Sequence, residues 1–506
     1  MNNSNIYQLV AEYRVATPTK VACIYQNEAI TYRDLINKVD NLASGMWQLG
    51  VDNKSTIALF CPNNIEFALC LLATAKLGAA IVPLPLTLKG EALEIALHSA
   101  QCDFVFAWPT VAKAIVDLEC ILGERIVTIG NIALTEFTLE QLWLQDLVDF
   151  PSGSSNSPYI LTMTSGSTGR PKPIVFTQNT KINRVFTATV DYYNLSNEEV
   201  VLVSTPLYHS LAQRSLLMPL MLGATAVILP KFTVQAWLMA IETHNVSFLF
   251  AVSSQLKALI RPLQGRNLTS LRCVVSSSAT LDETDKSKLL ELLECRFHEC
   301  YGASEMGVIS DFDITEPGVP LKSVGRPLPH VQVKICSVER ESLAFGEVGE
   351  IACRSDTQFV GYFNLTQQTR ESYDAQGYFY TGDLGYLDER GYLYYVGRTK
   401  EVIKSGGINV FPSDIELVTS QLPWIDECAA LGVEDTQFGE VILVAYTLKN
   451  KVPKDTKSQL KLHFLSQLTD YQQPRILLEL STLPKTEMGK IHKPSIKRIY
   501  ESSDLT

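Results

Sequence analysis

The segment TIALFCPNNIEFALCLLATAKLGAAIVPL, residues 56–84, constrains the fold more than any other stretch of the chain. An apolar run at 56–61 is of strand type. Pro62 and the Asn63–Asn64 pair then punctuate it and offer a helix cap. Ile65, Ala68, Leu69, Leu72 and Ala75 recur at helical spacing, and Gly78 sits where a helix stops. A second apolar run at 79–84 completes strand–helix–strand. Further strand-type runs at 224–229, 247–252 and 271–276 alternate with helical patterns. Successive β–α units imply an α/β class, with largely parallel sheets covered by helices.

At 506 residues the chain exceeds what one hydrophobic core serves, so at least two domains are expected. The texture changes near Arg398. A helix at 412–422, apolar stretches at 428–433 and 441–448, and a helix at 456–468 read as an α+β unit of about 100 residues. The expected division is a large N-terminal domain, 1–397, and a small C-terminal domain, 398–506.

Charge and cysteine usage narrow the function classes. A formal net charge of -11 opposes nucleic-acid binding, which needs a basic face, and is a poor match for an anionic membrane surface. An anionic substrate must therefore be held by local donors. The cysteines show no Cys-x-x-Cys pair and no metal-ligand spacing, as expected of reduced thiols in a cytoplasmic protein. The first residues show no charged-then-apolar leader, and no membrane span is expected. The most apolar stretch, around 57–84, is interrupted by Asn63, Asn64, Glu66 and Lys76.

The segment LTMTSGSTGRPKPIVFT carries the clearest chemistry. Thr164, Ser165, Ser167 and Thr168 are interleaved with Gly166 and Gly169, and Lys172 follows Pro171. Small hydroxylated residues around glycines let backbone N–H and side-chain O–H groups close around phosphate oxygens. Lys172 adds a positive charge at the rim. The alternative is a plain surface loop. The strand-like 159–163 leading in, and the pairing of Arg170 with Lys172, favour phosphate. The spacing fits neither a Walker loop nor a nucleophile elbow.

Taken with YGASE at 301–305, YTGDLG at 380–385, GRTKEVIKSGGINVFPSDIE at 397–416 and PKTEMGKI at 484–491, this loop resembles the adenylate-forming superfamily. That group holds acyl- and aryl-CoA synthetases, peptide-synthetase adenylation domains and luciferases. The five segments occur in the family's order and span about residues 32–493. The resemblance implies attack of a carboxylate on the α-phosphorus of ATP with loss of pyrophosphate, then transfer of the acyl group to the thiol of CoA. Charge builds on anionic oxygens in such a reaction, so cations and donors must be aimed at it.

The resemblance also implies residue roles. Glu305 holds the Mg2+ that bridges phosphate oxygens, a task for a hard oxygen ligand. Ser304 keeps the hydroxyl where the family usually has threonine. Tyr301 and Gly302 flank the adenine. Asp383 accepts from the ribose hydroxyls, with Arg398 as a second ribose or phosphate contact. Lys490 is the catalytic lysine that meets the carboxylate and α-phosphate, and His209 shields the site near the substrate carboxyl. Lys400 is the hinge about which the small domain turns, and Gly406 and Gly407 then line a pantetheine tunnel. Read without the family, Asp383, the Gly489–Lys490 pair and the two glycines are ordinary turn or loop residues. A lone histidine is more often structural.

The acid is expected to be a small carboxylic acid. Peptide-synthetase domains for α-amino acids place an aspartate near His209, and 207–210 offers no acid, so an α-amino acid is disfavoured. The chain departs from the family pattern at three places. Pro173 stands where glycine is common and removes a backbone donor. Gln178 replaces a histidine. Ser276, Ser277, Ser278, Ala279 and Thr280 replace a serine–glycine–glycine–alanine–proline run. Arg214 is expected on the surface of the helix after His209, with a second carboxylate of the substrate as its alternative partner. A ligase that loads an acyl or phosphopantetheine carrier protein, and a non-catalytic nucleotide-binding protein, are the competing readings. A serine hydrolase lacks a histidine and acid near Ser165 or Ser167.

Overall fold

The computed structural model describes residues 4–503 except 117, 119–120, 122, 131, 133, 144–145, 165–171, 267, 280, 406–407, 436–438, 450–451 and 487–488. The chain is mixed α/β and divides into two compact units. The larger comprises 1–321, 328–332 and 354–377, and the smaller 322–327, 333–353 and 378–506.

The 56–84 segment folds as its pattern predicts. Strands Thr56–Phe60 and Ala80–Pro83 run parallel, joined by helix Ile65–Leu77. The Asn64 side chain accepts from the Phe67 N–H at 3.1 Å, and Gly78 ends the helix at φ 73°. That left-handed turn needs glycine. The helix is apolar all round because it packs against Ala80–Pro83 of one sheet and Val21–Tyr25 of another.

The first of these sheets runs in the order Gly361–Tyr362, Lys172–Thr177, Pro158–Thr164, Ala80–Pro83, Thr56–Phe60, Phe104–Ala107, Ile126–Thr128, Phe137–Thr138. Its inner pairs are parallel and fully buried, as β–α–β connections dictate. Only the end carrying Pro158–Thr164, Lys172–Thr177 and Gly361–Tyr362 is antiparallel. The other sheet of this unit runs through Gly307–Asp313, Arg296–Ala303, Cys273–Ser277, Phe248–Val252, Val200–Val203, Thr225–Ile228, Val21–Tyr25 and Glu28–Thr31. It too is parallel inside and antiparallel at its ends.

The smaller unit holds an antiparallel sheet that includes Gly349–Ser355, Phe379–Leu387 and Leu393–Arg398. A further sheet pairs Gly439–Leu448 with Ile425–Asp435, Ile403–Ser405 and Ile476–Glu479. Helices Pro412–Ser420, Thr456–Gln467 and Lys493–Glu501 accompany it. Its apolar side chains form two clusters, one around Trp424, Tyr446 and Phe464 and one around Leu443 and Ile496. Lys400 lies in the turn Thr399–Glu401, which joins the two sheets of this unit.

Among the described residues no helix is long and apolar enough to cross a membrane. The ten described cysteines are free thiols.

Candidate active site

Strands Pro158–Thr164 and Lys172–Thr177 form a hairpin in which Thr164 lies opposite Lys172. The glycine–serine loop therefore leaves and re-enters the sheet at one point. Ser165, Gly166, Ser167, Thr168 and Gly169 lie outside the described residues, as does the side chain of Thr164. Lys172 places its ammonium 5.4 Å from the centroid of the Tyr362 ring, within the range of a cation–π attraction. The Tyr362 hydroxyl donates to Glu305 Oε1 at 3.0 Å. Burial and the adjacent Glu305 charge push the Tyr362 phenol well above its ordinary pKa, so it stays a donor. One tyrosine thus couples the rim lysine to the carboxylate expected to hold Mg2+.

Pro173 occupies an interior strand position opposite Met163, and its carbonyl accepts from the Phe363 N–H at 2.9 Å. The departure is absorbed next to the hairpin end, where the ladder tolerates a missing donor best. Gln178 has a structural task. Its side chain accepts from the Ile6 N–H at 2.8 Å and donates to the Ala75 carbonyl at 2.9 Å.

Glu305 sits in the turn between Arg296–Ala303 and Gly307–Asp313, with Ser304 exposed beside it. A bulge separates Tyr301 from Gly302 in that strand pair. A Cβ on Gly302 would lie 2.0 Å from the Gly307 carbonyl oxygen, so the backbone itself demands glycine there. The Glu305 carbonyl accepts from Arg184 Nη2 at 2.8 Å and from the Phe359 N–H at 2.6 Å. Arg184 Nε also donates to the Thr357 carbonyl at 2.8 Å. The turn is therefore pinned from its main chain, leaving the carboxylate for ligands. No cluster of three or more metal-binding side chains occurs among the described residues.

His209 precedes helix Ser210–Leu222 with extended backbone, φ -90°, and its ring lies 4.3 Å from that of Tyr208. Arg214 in that helix is buried at 8% exposure, which corrects the expected surface position. The helix lies against strands Val200–Val203 and Thr225–Ile228 and is apolar on most sides, so it has little free surface to offer. The serine run begins in strand Cys273–Ser277. Ser276 is fully buried with no hydrogen-bond partner for its hydroxyl. Ser277 hydrogen-bonds the Cys300 thiol. Ser278 adopts φ 74°, the conformation a glycine would take without strain. Thr280 lies outside the described residues.

The smaller unit brings Asp383, Arg398 and Lys490 into one electrostatic neighbourhood. Asp383 and Arg398 face each other across paired strands, with Nε 3.0 Å from Oδ1. Lost hydration and the Arg398 cation lower the Lys490 pKa from its ordinary value, while Asp383 and Glu401 oppose the shift. The residue as a whole stays exposed, so the ammonium is crowded, not dry. Its loop is closed on itself, with Thr486 N–H donating to the Lys490 carbonyl at 2.7 Å and Lys490 N–H to Thr486 Oγ1 at 3.2 Å. Lys400 is exposed. Next to it, Glu401 pairs with Lys493, which also pairs with Glu416, at 3.0 and 2.9 Å. Gly406 and Gly407 lie outside the described residues.

Sequence reasoning missed Tyr362 and Arg184. Neither lies in a phosphate-type segment. The available signals were the Gly361–Tyr362 pair after an apolar run, and two cations three residues apart in the helix following the hairpin.

The chain is similar to known proteins along most of its length. The model of the AMP-binding enzyme family matches residues 11–363, and that of the AMP-binding enzyme C-terminal domain matches 414–490. An indoleacetate–CoA ligase of Aromatoleum aromaticum is 28% identical, with 95% of each chain covered. A sulfoacetate–CoA ligase of Cupriavidus necator is 26% identical over 92% of this chain and 91% of its own. ATP-bound MatB from Rhodopseudomonas palustris superposes with a TM-score of 0.88 at 23% identity, covering 99% of both chains. With well over half its length matched, the chain belongs to the AMP-binding enzyme family.

Proposed function

We propose that the protein is an AMP-forming acid–thiol ligase, which converts a small carboxylic acid and ATP into an acyl adenylate and pyrophosphate and then passes the acyl group to CoA. The observation that carries this reading is the link from Lys172 through Tyr362 to Glu305. A cation and a carboxylate thereby share one tyrosine next to the hairpin, as a site for phosphates and their metal would require.

The hairpin loop, Thr164 to Gly169, takes the outer phosphates, and Lys172 neutralises charge on the departing pyrophosphate. Glu305 would hold Mg2+, and the ion would supply charge neutralisation to the phosphates when bound. Tyr362 fixes that carboxylate by donating to it. Tyr301 and Gly302 flank the adenine, Ser304 adds a hydroxyl to the phosphates, and Asp383 and Arg398 take the ribose. Lys490 contributes the cation that stabilises the charge shared by the attacking carboxylate and the α-phosphate. His209 covers the acid. Lys400 is the pivot that withdraws Lys490 after adenylation, and Gly406 and Gly407 admit the thiol arm. The relatives named above support CoA as the acceptor.

Acid-dependent release of pyrophosphate from ATP tests the first half, across short-chain, aryl and dicarboxylic acids. Supplying CoA or a holo carrier protein tests the second. Absence of release with every acid would sink the ligase reading. Thioester on the carrier alone would replace CoA as acceptor.

A further inference from the structure

Lys181, Arg184 and Arg214 are buried to 4%, 2% and 8% exposure and line one small cavity with Val185, Ser210 and Leu217. The cavity, about 10 Å3, has room for one oxygen-sized centre. Lys181 and Arg184 share a face of helix Gln178–Val185, which widens at once into the π-turn Phe186–Val190. Arg214 comes from the helix that begins at Ser210, next to His209.

Three buried cations in one place demand an explanation, because buried charge is costly unless it is paired. None of the three forms an ion pair with a carboxylate among the described residues. Lys181 Nζ donates to Gln213 Oε1 at 2.9 Å. Arg184 is occupied by two main-chain carbonyls, those of Thr357 and Glu305. Arg214 Nη1 has no hydrogen-bond partner, and the guanidinium lies 5.5 Å from the centroid of the Phe250 ring. Burial and mutual repulsion push Lys181 well below its ordinary pKa and Arg184 down to about 9. Glu305 partly opposes the shift at Arg184. An anion entering this cavity would relieve the repulsion and satisfy the unpaired guanidinium N–H.

The location says which anion. Arg184 holds the main chain of Glu305, and Ser210 adjoins His209, so the cavity borders the place where the acid is expected. We propose that Arg214, supported by Lys181 and Arg184, binds a second anionic group, a carboxylate or sulfonate, at the end of the acid remote from the carboxyl that is activated. This rests on the acid-activating reading and names its substrate class as dianionic acids. The cavity takes one oxygen of that group. The recognition is charge-assisted hydrogen bonding, for which a fork-shaped guanidinium suits planar or tetrahedral oxygens.

The test compares acids in matched pairs, each dianion against the monoacid of equal chain length: succinate and butyrate, glutarate and valerate, adipate and hexanoate. Sulfopropionate serves as the sulfonate arm. Pyrophosphate release gives kcat/KM for each acid with the wild type, Arg214→Leu and Arg214→Lys. The wild type should favour one dianion over its partner by about tenfold or more. Arg214→Leu should collapse that ratio about 10- to 100-fold, the range expected for a lost charged hydrogen bond, mainly through KM for the acid. Arg214→Lys should recover part of the ratio and serves if the leucine variant does not fold. Equal turnover of both members of every pair would overturn the proposal. So would an unchanged ratio in both variants, or a rise in KM confined to ATP. Thermal unfolding with each acid and no ATP separates the two readings. If no acid releases pyrophosphate, stabilisation of the wild type by dianions that is lost in Arg214→Leu keeps the subsite while the ligase reading falls. Absence of such stabilisation removes both.

Discussion

The two units hold their charged groups in opposite ways. In the larger unit Glu305 and Lys172 stand at sheet ends and are tied through Tyr362, and the Glu305 turn is clamped by Arg184. In the smaller unit Lys490 sits on an exposed loop closed by its own hydrogen bonds, beside the Asp383–Arg398 pair. Lys172 starts a paired strand, and the Glu305 turn is fastened through its main chain. On the proposed function Lys490 serves one half-reaction and then leaves, and an exposed loop offers few contacts to resist that movement.

The largest expected effect breaks this comparison at its mobile end. Lys490→Ala should cut adenylation by about 100- to 1,000-fold, the scale of a lost transition-state donor, while thioester formation from a supplied acyl adenylate continues. Equal loss in both half-reactions would mean that Lys490 is as fixed as Glu305. At the rigid end, Glu305→Gln should lower pyrophosphate release by about 100-fold and raise the Mg2+ concentration needed for half-maximal rate. An unaltered Mg2+ requirement would remove Glu305 as the ligand.

Smaller effects sharpen the contrast. On the proposed role the protonated form of Lys490 is the one that works, and its pKa lies below the ordinary lysine value. Adenylation should therefore be full below that pKa and fall as pH rises through it, earlier than an unperturbed lysine would give. Lys490→Arg, slower but always charged, should lose that alkaline limb; a limb at the same pH would assign it to another group. Tyr362→Phe should weaken apparent Mg2+ affinity about fivefold, near 1 kcal/mol for one hydrogen bond, and leave the Lys490-dependent limb in place. Last, Ser278→Gly relieves a left-handed serine and should stabilise the larger unit by about 0.5–1 kcal/mol in denaturant titration. A destabilised variant would show that the serine hydroxyl outweighs the strain.

Sequence pattern revealed most where one residue type has one physical use. The 56–84 unit was legible because apolar spacing, an asparagine cap and a terminal glycine all agree. The first strand of the hairpin is legible from the strand-like 159–163 run that leads into the glycine–serine segment. Gly302 was singled out for adenine, yet its bulge supplies a second reason that only coordinates disclose. Tyr362 and Arg184 escape because they act through long-range hydrogen bonds, one for Tyr362 and two for Arg184, and nothing nearby in the chain marks those partners. Arg214 was assigned to the surface because an arginine in a helix usually is solvated. Its burial follows from the packing of its helix against two strands and the helix carrying Lys181 and Arg184, a property of the assembled fold and not of local spacing.

Gln178 carries a practical consequence. By clasping the Ile6 N–H and the Ala75 carbonyl, it fastens helix Ile6–Ala11 to the start of the helix that follows strand Lys172–Thr177. A change at Gln178, or at the Ile6 end of that helix, is thus a perturbation at the foot of the hairpin that carries Lys172, and it should be felt there without touching the hairpin itself.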